Sequence, residues 1–278
     1  MRAITVSINF SDLLDLTMSR NRKHFSDVLV VTDLQDDATV KVAEKLNCKV
    51  YRTDAFTRNG AAMNKWLALE EGLDTFGRYG WLCHLDADVI WPDNIQLMEK
   101  PTSGLGDPVL DICSATYGGV RVRIGQLCSP VRRMLHTVGW TIPPEKDWEL
   151  LPIHRNCLFE WAGYTQIYHA DDPVLGPPPW HDVSWQHAGG ADSFWQQKWK
   201  PENKIRPPWA VLHVGNAGEN WMGRVTPHLD GTKVEGAEER RQQVNRMWSE
   251  RRAREAQVRA GTLPKEQLFD AEKVRPEG

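Results

Sequence analysis

The sequence predicts an α/β fold, with a doubly wound and largely parallel sheet in its first hundred residues. Strand and helix patterns alternate there at the spacing typical of βαβ units. Two predicted strands, residues 28–32 and 81–85, are continuous apolar runs, as expected for strands buried on both faces of a parallel sheet. An aspartate follows each run, at the carboxyl end of a strand, where such sheets bind ligands.

The elements before residue 81 follow from local patterns. Residues 4–9 alternate apolar and polar side chains and predict the first strand, and the more polar residues 13–24 predict a helix. After the second strand, Asp36 and Asp37 predict the start of a helix, because carboxylates stabilise helix N-termini.

A short strand and an amphipathic helix precede the apolar run 81–85. Residues 49–52 predict the strand, and Asn59 is predicted to cap a helix that contains Trp66 and Leu73. This order of elements places the aspartates that follow residue 85 at the ligand-binding edge of the sheet.

The second part of the chain has a different pattern. Residues 111–117 and 120–124 predict strands, and residues 126–138 predict a helix. Residues 141–208 are rich in Pro, Trp, His and Gly and predict long functional loops over the sheet. A last short strand is predicted at residues 209–214.

Composition limits the class of protein. The chain has 278 residues, 41% of them hydrophobic, and its net charge of −3 argues neither for nor against a polyanionic partner. Five cysteines without a CxxC pair predict reduced thiols and not a disulfide scaffold or a zinc ribbon. No leader-like segment and no apolar run of membrane-spanning length stand in the sequence, so we expect a cytoplasmic protein without a membrane span.

Thirteen tryptophans are unusual for a chain of this length, and most lie between residues 140 and 221. One interpretation is a loop-rich core in which large rings fill irregular space. The other is a platform on which a carbohydrate or a base stacks. Composition alone leaves both open.

Asp86 and Asp88 are the strongest chemical signal. Two carboxylates at a strand end, one residue apart, can bind a hard divalent cation such as Mg²⁺ or Mn²⁺ together with substrate phosphates. The alternative is a polar turn that carries two acids.

Four sequence segments resemble the nucleotide-sugar-binding half of GT-A-fold glycosyltransferases: ITVSINF, VLVVTD, NGAAMNKWLALEEGL and HLDADVIWP, the last containing the DxD motif. Further on, GGADSFW resembles the segment that supplies an acidic catalytic base, and AVLHVGNAGENWMGR resembles the segment in which a histidine completes the metal shell. The resemblance spans residues 4 to 224 and implies one GT-A-like domain over residues 1–230. Its nucleotide-sugar-binding half is residues 1–100 and its acceptor-binding half is residues 101–230, and residues 231–278 form a charged helical extension.

The resemblance implies a role for each matched residue. Asp88, His213 and Asp86 would bind Mn²⁺ or Mg²⁺, with Asp86 facing the ribose or the water shell of the metal. The donor, most simply a UDP-sugar, would contact Asp33, Arg58, Asn64, Asp86, Trp221 and Arg224. For Asp33 the alternative is a helix N-cap, for Arg58 and Asn64 a surface or capping role, and for His213 a satisfied core histidine.

Asp192 would be the catalytic base that deprotonates the acceptor hydroxyl, and the alternative is a simple N-cap acid. Ala191 stands where the family often has a glutamate, which leaves inverting or retaining stereochemistry open. His181, Trp185 and His187 are the candidate acceptor-binding residues.

The predicted function is metal-dependent transfer of a sugar from a UDP-sugar to an acceptor hydroxyl. Some viral transferases of this kind modify hydroxymethylated pyrimidines in DNA, and the arginine-rich segment after residue 235 and the Trp/His loops would suit that acceptor. A glycan or a small molecule is the alternative acceptor. A sugar-nucleotide nucleotidyltransferase and a non-catalytic binding module are the competing classes, and the sequence leaves the sugar and the oligomeric state open.

Overall fold

A seven-stranded mixed sheet lies at the centre of the computed structural model. The structure describes residues 1–93, 142, 144–150, 165–189, 191–200, 211–214 and 220–273, and the backbone of five further strands. The strands are β1 (Arg2–Val6), β2 (Asp27–Asp33), β3 (Lys49–Thr53), β4 (Trp81–Leu85), β5 (Val89–Ile90), β6 (Ser114–Tyr117), β7 (Val120–Arg123), β8 (Gln126–Cys128), β9 (Val131–Arg133), β10 (Thr165–His169), β11 (Lys204–Ile205) and β12 (Val211–His213). The helices are α1 (Ser11–Asn21), α2 (Asp37–Lys45), α3 (Lys65–Phe76), α4 (Ala191–Gln196) and α5 (Ala237–Arg259).

The strand order of the central sheet is β11-β8-β10-β4-β1-β2-β3. Strands β4, β1, β2 and β3 are mutually parallel, β11 is parallel to β8, and β10 is antiparallel to both of its neighbours. The prediction of an α/β fold with a largely parallel sheet is therefore confirmed. A smaller sheet has the order β5-β12-β9, and β6 and β7 form a hairpin.

Both faces of β2 are buried, as its apolar sequence predicts. Val28 and Val30 pack in a cluster with residues of α1 and α2. Leu29 and Val31 point to the opposite face and pack in a second cluster with α3. At the closest point, a Cβ on Gly72 of α3 would lie 2.6 Å from a methyl group of Val31, so glycine sets how near the helix approaches the sheet.

The helix starts confirm one predicted cap and correct another. Asp36 caps α2, because its Oδ1 accepts a hydrogen bond from the Thr39 N–H at 3.0 Å. Asn59 does not cap α3; it has a φ of 59° inside a short 3-10 turn. The cap is Asn64, whose side chain accepts from the Leu67 N–H at 3.0 Å, so the helix begins at Lys65.

Long-range pairing overrides the local pattern in the second half. Residues 126–138 were predicted to be helical, but β8 and β9 lie there, paired with β10 and β11 and with β12 respectively. The loop prediction for residues 141–208 is also wrong in part, since β10, α4 and β11 fall within it. The remaining residues of both segments lie outside the described ones, apart from 142, 144–150, 170–189 and 197–200. The predicted strands at 111–117, 120–124 and 209–214 are confirmed by β6, β7 and β12.

No helix within the described ranges has both the length and the apolar character needed to cross a membrane. Cys48 and Cys83, the two cysteines whose side chains the structure describes, are buried free thiols.

Candidate active site

The carboxyl ends of β2 and β4 carry three of the predicted site residues. Both strands run parallel to β1, which lies between them, so their carboxyl ends meet at one edge of the sheet. Asp33 ends β2, and Asp86 and Asp88 follow β4. The edge predicted from the order of strands is the edge at which these carboxylates lie.

Asp88 and His213 are brought together by the small sheet. His213, on β12, is paired with Val89 of the antiparallel strand β5, and the Val214 N–H donates to the Asp88 carbonyl at 2.8 Å. The His213 Nε2 consequently lies 3.2 Å from the Asp88 Oδ2, with both side chains largely buried. Burial alone would raise the pKa of Asp88, but the charge of His213 and its hydrogen bond hold that pKa below its usual value.

The Asp88–His213 pair fits a divalent cation. Two adjacent ligands of one Mg²⁺-sized ion, each about 2.1 Å from it, are roughly 3 Å apart, which matches the separation of these two atoms. A carboxylate oxygen and an imidazole nitrogen also form a donor set suited to Mn²⁺. Among the described residues no group of three or more His, Cys, Asp and Glu side chains is arranged to hold a metal.

Lys65 is a site residue that the sequence analysis did not identify. Its side chain is 8% exposed, and its Nζ lies 2.6 Å from the Asp86 Oδ1. Burial alone would lower the pKa of Lys65, but the charges of Asp86, Asp192 and Asp88 outweigh burial and raise it. Lys65 is therefore the cation that neutralises a cluster of three buried carboxylates.

A sequence signal for Lys65 existed. It is the first residue of α3, whose first turn contains no acidic residue. A lysine there is unfavourable to the helix dipole, and burial adds a further cost, so the position needs a nearby anion. Asp86 is that anion. Burial in turn raises the pKa of Asp86, and Lys65 opposes the rise.

Asp192 lies near the same cluster, in the first turn of α4. The helix begins at Ala191, so Asp192 is inside the turn and is not its N-cap. Its Oδ1 is buried and makes no hydrogen bond within the part of the chain that the structure describes. Burial raises the pKa of Asp192 to about 6, with Lys65 lowering it and Asp86 raising it further. A buried, unpaired carboxyl with a raised pKa is what a general base requires.

Asp33 is placed at the edge without a capping duty. Its Oδ1 accepts from the Gln35 N–H at 2.9 Å, and the side chain remains partly exposed. Asp36, not Asp33, caps the following helix, so the alternative explanation for Asp33 is excluded.

Three predicted donor contacts have structural partners instead. Arg58 pairs with Asp54 and Glu71. The Asn64 side chain caps α3 and donates to the Val183 carbonyl at 2.7 Å. The Arg224 guanidinium donates to Asp12 through two nitrogens and to the carbonyls of Asn9, Thr226 and Pro227. These contacts account for the residues without a donor.

The predicted acceptor residues His181, Trp185 and His187 are not at an open surface. They are 4%, 0% and 1% exposed. His181 stacks between Trp66 and Trp195, with ring centroids 4.7 and 3.9 Å away, and its Nδ1 pairs with Glu70. Their contacts are those of core residues, and the prediction of acceptor binding has no support in them.

Most tryptophans of the rich region also belong to the core. Between residues 140 and 221, every tryptophan whose side chain the structure describes is at most 5% exposed, except Trp221. The core members are Trp148, Trp180, Trp185, Trp195 and Trp199. Trp221 is half-buried and lies against Trp248 at 4.9 Å between centroids. The space-filling interpretation therefore explains these rings.

Solved structures with a similar backbone are sugar transferases. No protein-family model and no curated protein matches the chain. The chain is similar to mannosyl-3-phosphoglycerate synthase from Rubrobacter xylanophilus, with 16% identity and a TM-score of 0.47 over 95% of this chain and 75% of that one. It is similar to glucosyl-3-phosphoglycerate synthase from Mycobacterium tuberculosis, with 13% identity and a TM-score of 0.45 over 95% and 81%. A complex of the latter enzyme with Mn²⁺, UDP and glucosyl-3-phosphoglycerate gives 12% and 0.44 over 77% and 72%. Likeness at this level assigns neither residues nor a reaction to this chain.

Proposed function

We propose that the chain is a metal-dependent glycosyltransferase that moves a sugar from a UDP-sugar to an acceptor hydroxyl. The observation that carries the proposal is the Asp88–His213 pair, formed across more than a hundred residues of sequence beside a buried carboxyl whose pKa is raised to about 6. A cation-binding pair and a general base at one sheet edge suit the departure of a diphosphate and the activation of a hydroxyl.

Each side chain has a part in the proposed reaction. Asp88 and His213 would hold the cation, which when bound neutralises the charge that grows on the leaving diphosphate. Lys65 holds the Asp86 Oδ1, and Asp33 faces the nucleoside. The bond between the anomeric carbon and the diphosphate oxygen breaks as the acceptor oxygen bonds to that carbon, and the hydroxyl proton passes to Asp192.

Hydroxymethylated DNA loses the features that favoured it as the acceptor. Three arginines of the C-terminal helix, Arg240, Arg251 and Arg254, donate to groups of the protein itself. The fully exposed charged residues of α5 comprise three acids and three arginines: Glu238, Glu239, Glu250, Arg246, Arg252 and Arg259. We therefore propose a hydroxyl acceptor without choosing DNA, and we include DNA in the test.

The test measures UDP release from UDP-sugars with Mn²⁺, with Mg²⁺ and with EDTA. Hydroxymethylated duplex DNA, an oligosaccharide and phosphoglycerate serve as acceptors, and product mass identifies the sugar. We expect UDP release that stops with EDTA and returns with Mn²⁺. Release of pyrophosphate would identify a nucleotidyltransferase instead, and UDP binding without turnover on any acceptor would identify a binding module.

The raised pKa of Asp192 predicts a pH profile. The base must be ionised, so we expect kcat/KM to be constant above pH 6 and to fall about tenfold per unit below it. The ionised form is the costly one in the folded chain, so Asp192→Asn should abolish turnover yet raise the free energy of unfolding at pH 7.5 by up to about 3 kcal/mol. Urea denaturation measures the second effect, and loss of both activity and stability would contradict the assignment.

A further inference from the structure

The C-terminal segment folds back onto the loop that leads to Asp192. We call residues 268–273 the C-terminal clamp and residues 182–188 the catalytic loop. The Gln186 N–H donates to the Glu272 carbonyl at 3.0 Å, and the Gln186 side-chain Nε2 donates to the Lys273 carbonyl at 2.8 Å. Lys273 also pairs with Asp182 at 2.8 Å and forms an antiparallel bridge with Trp185.

Glu272 is the buried centre of the C-terminal clamp. Its side chain is 3% exposed and accepts from the His187 Nε2 at 3.1 Å, from Arg251 at 3.0 Å and from Arg254 at 2.8 Å. Burial alone would raise the pKa of Glu272, but the hydrogen bonds from His187 and Arg251 lower it to about 2. The arginines that make the helix rich in positive charge are thus spent on this carboxylate.

The catalytic loop is bonded to the start of α3 and to the Trp221 segment as well. The Gln186 carbonyl accepts from the N–H groups of Ala62 and Met63, at 2.9 and 3.0 Å, directly before the helix that begins with Lys65. The Ala188 N–H donates to the Trp221 carbonyl at 2.9 Å.

The side chains of the two segments pack as closely as their backbones. The His187 ring lies parallel to the Trp221 ring at 6.3 Å between centroids. A Cβ on Gly189 would lie 2.0 Å from the Trp221 ring, so only glycine allows this contact. Residues 186–189 therefore join the backbone positions from which Lys65 and Asp192 project.

We propose that Glu272 is a positioning residue for the transfer reaction, acting through His187 and Gln186 to hold Lys65 and Asp192 in register. The inference rests on the function proposed above and extends the active unit to the C-terminal clamp, which the sequence predicted only as a charged extension. A displacement of about 1 Å in a catalytic group is enough to lower a rate about a hundredfold. The clamp is the contact best placed to prevent that displacement.

The experiment compares Glu272→Ala and Glu272→Gln with Glu266→Ala in the full chain. Glu266 is exposed and lies in the same C-terminal stretch, so it is the matched control. We expect Glu272→Ala to lower kcat about a hundredfold while the KM for the UDP-sugar changes less than threefold, with partial recovery in Glu272→Gln. The pH limb near 6 should move to lower pH in Glu272→Ala, because a displaced Asp192 is better hydrated.

Amide hydrogen exchange gives a readout that does not depend on turnover. Measured where circular dichroism shows the variants folded, exchange at Ala62, Met63 and Gln186 should accelerate at least about tenfold in Glu272→Ala and not in Glu266→Ala. If Glu272→Ala does not fold, Glu272→Gln carries both measurements. Faster exchange in a chain that releases no UDP refutes the proposed function alone. Unchanged exchange, or a lower kcat with an unmoved pH limb, overturns the positioning role.

Discussion

Replacing Asp88 with alanine is expected to lower kcat/KM for UDP release by about a thousandfold, since stabilisation of a leaving diphosphate by a cation contributes about 4 kcal/mol. Asp88 is the carboxylate that lies 3.2 Å from the His213 Nε2. Initial rates with Mn²⁺ at saturating acceptor measure the effect. Asp93→Ala is the matched control, because Asp93 is an exposed acid a few residues on that pairs only with the exposed Lys23 among the described ion pairs.

His213→Ala should reproduce the loss of Asp88→Ala, and the double substitution should be little worse than either one, because the two residues act on one ion. Additive losses would mean that they act independently. Full activity in Asp88→Ala would remove the metal assignment.

Replacing Lys65 with alanine is expected to destabilise the fold by about 3 to 5 kcal/mol, because it leaves a buried carboxylate without its counterion. Lys65 is 6% exposed overall and pairs with Asp86. Denaturation in urea measures the change. Lys45→Ala is the control, since its pair with Asp15 is exposed and such pairs contribute less than about 1 kcal/mol.

A second substitution separates the lost charge from lost packing. Lys65→Met with Asp86→Asn removes both charges and keeps the volumes, so most of the lost stability should return. Equal destabilisation by Lys65→Ala and Lys45→Ala would show that Lys65 does not neutralise the cluster.

The edge of the site was predictable because strand order is written in local patterns. Apolar runs at residues 28–32 and 81–85, separated by helices, force parallel pairing, and parallel pairing places Asp33, Asp86 and Asp88 at one edge. His213 was predicted only through the resemblance to GT-A-fold enzymes. Its approach to Asp88 depends on pairing between β5 and β12, two short strands far apart in sequence, which no local pattern encodes.

The missed features share a physical reason. Lys65 reads as an ordinary residue of an amphipathic helix until Asp86 is known to lie beside it. Glu272 reads as one more charge in a charged tail, and its partners are His187, Arg251 and Arg254. Each side chain gains its role from a long-range contact that buries a charge, and a buried charge leaves no periodic trace in the sequence.

His181 and His187 illustrate the opposite error. Histidines in a loop rich in Trp and Pro suggest a binding surface, but here their ring nitrogens satisfy the buried carboxylates Glu70 and Glu272. Composition identified polar rings among aromatic ones, and burial determined what those rings do.

Titration of Mn²⁺ into the protein, followed by electron paramagnetic resonance with and without UDP, tests the central claim most directly. The claim predicts that wild-type chain and Asp93→Ala bind Mn²⁺ equally well, and more tightly with UDP because phosphate oxygens complete the shell. Asp88→Ala and His213→Ala should each weaken binding by at least about tenfold, whether or not an acceptor is known. Equal Mn²⁺ affinity in all four proteins would contradict a metal site at the Asp88–His213 pair.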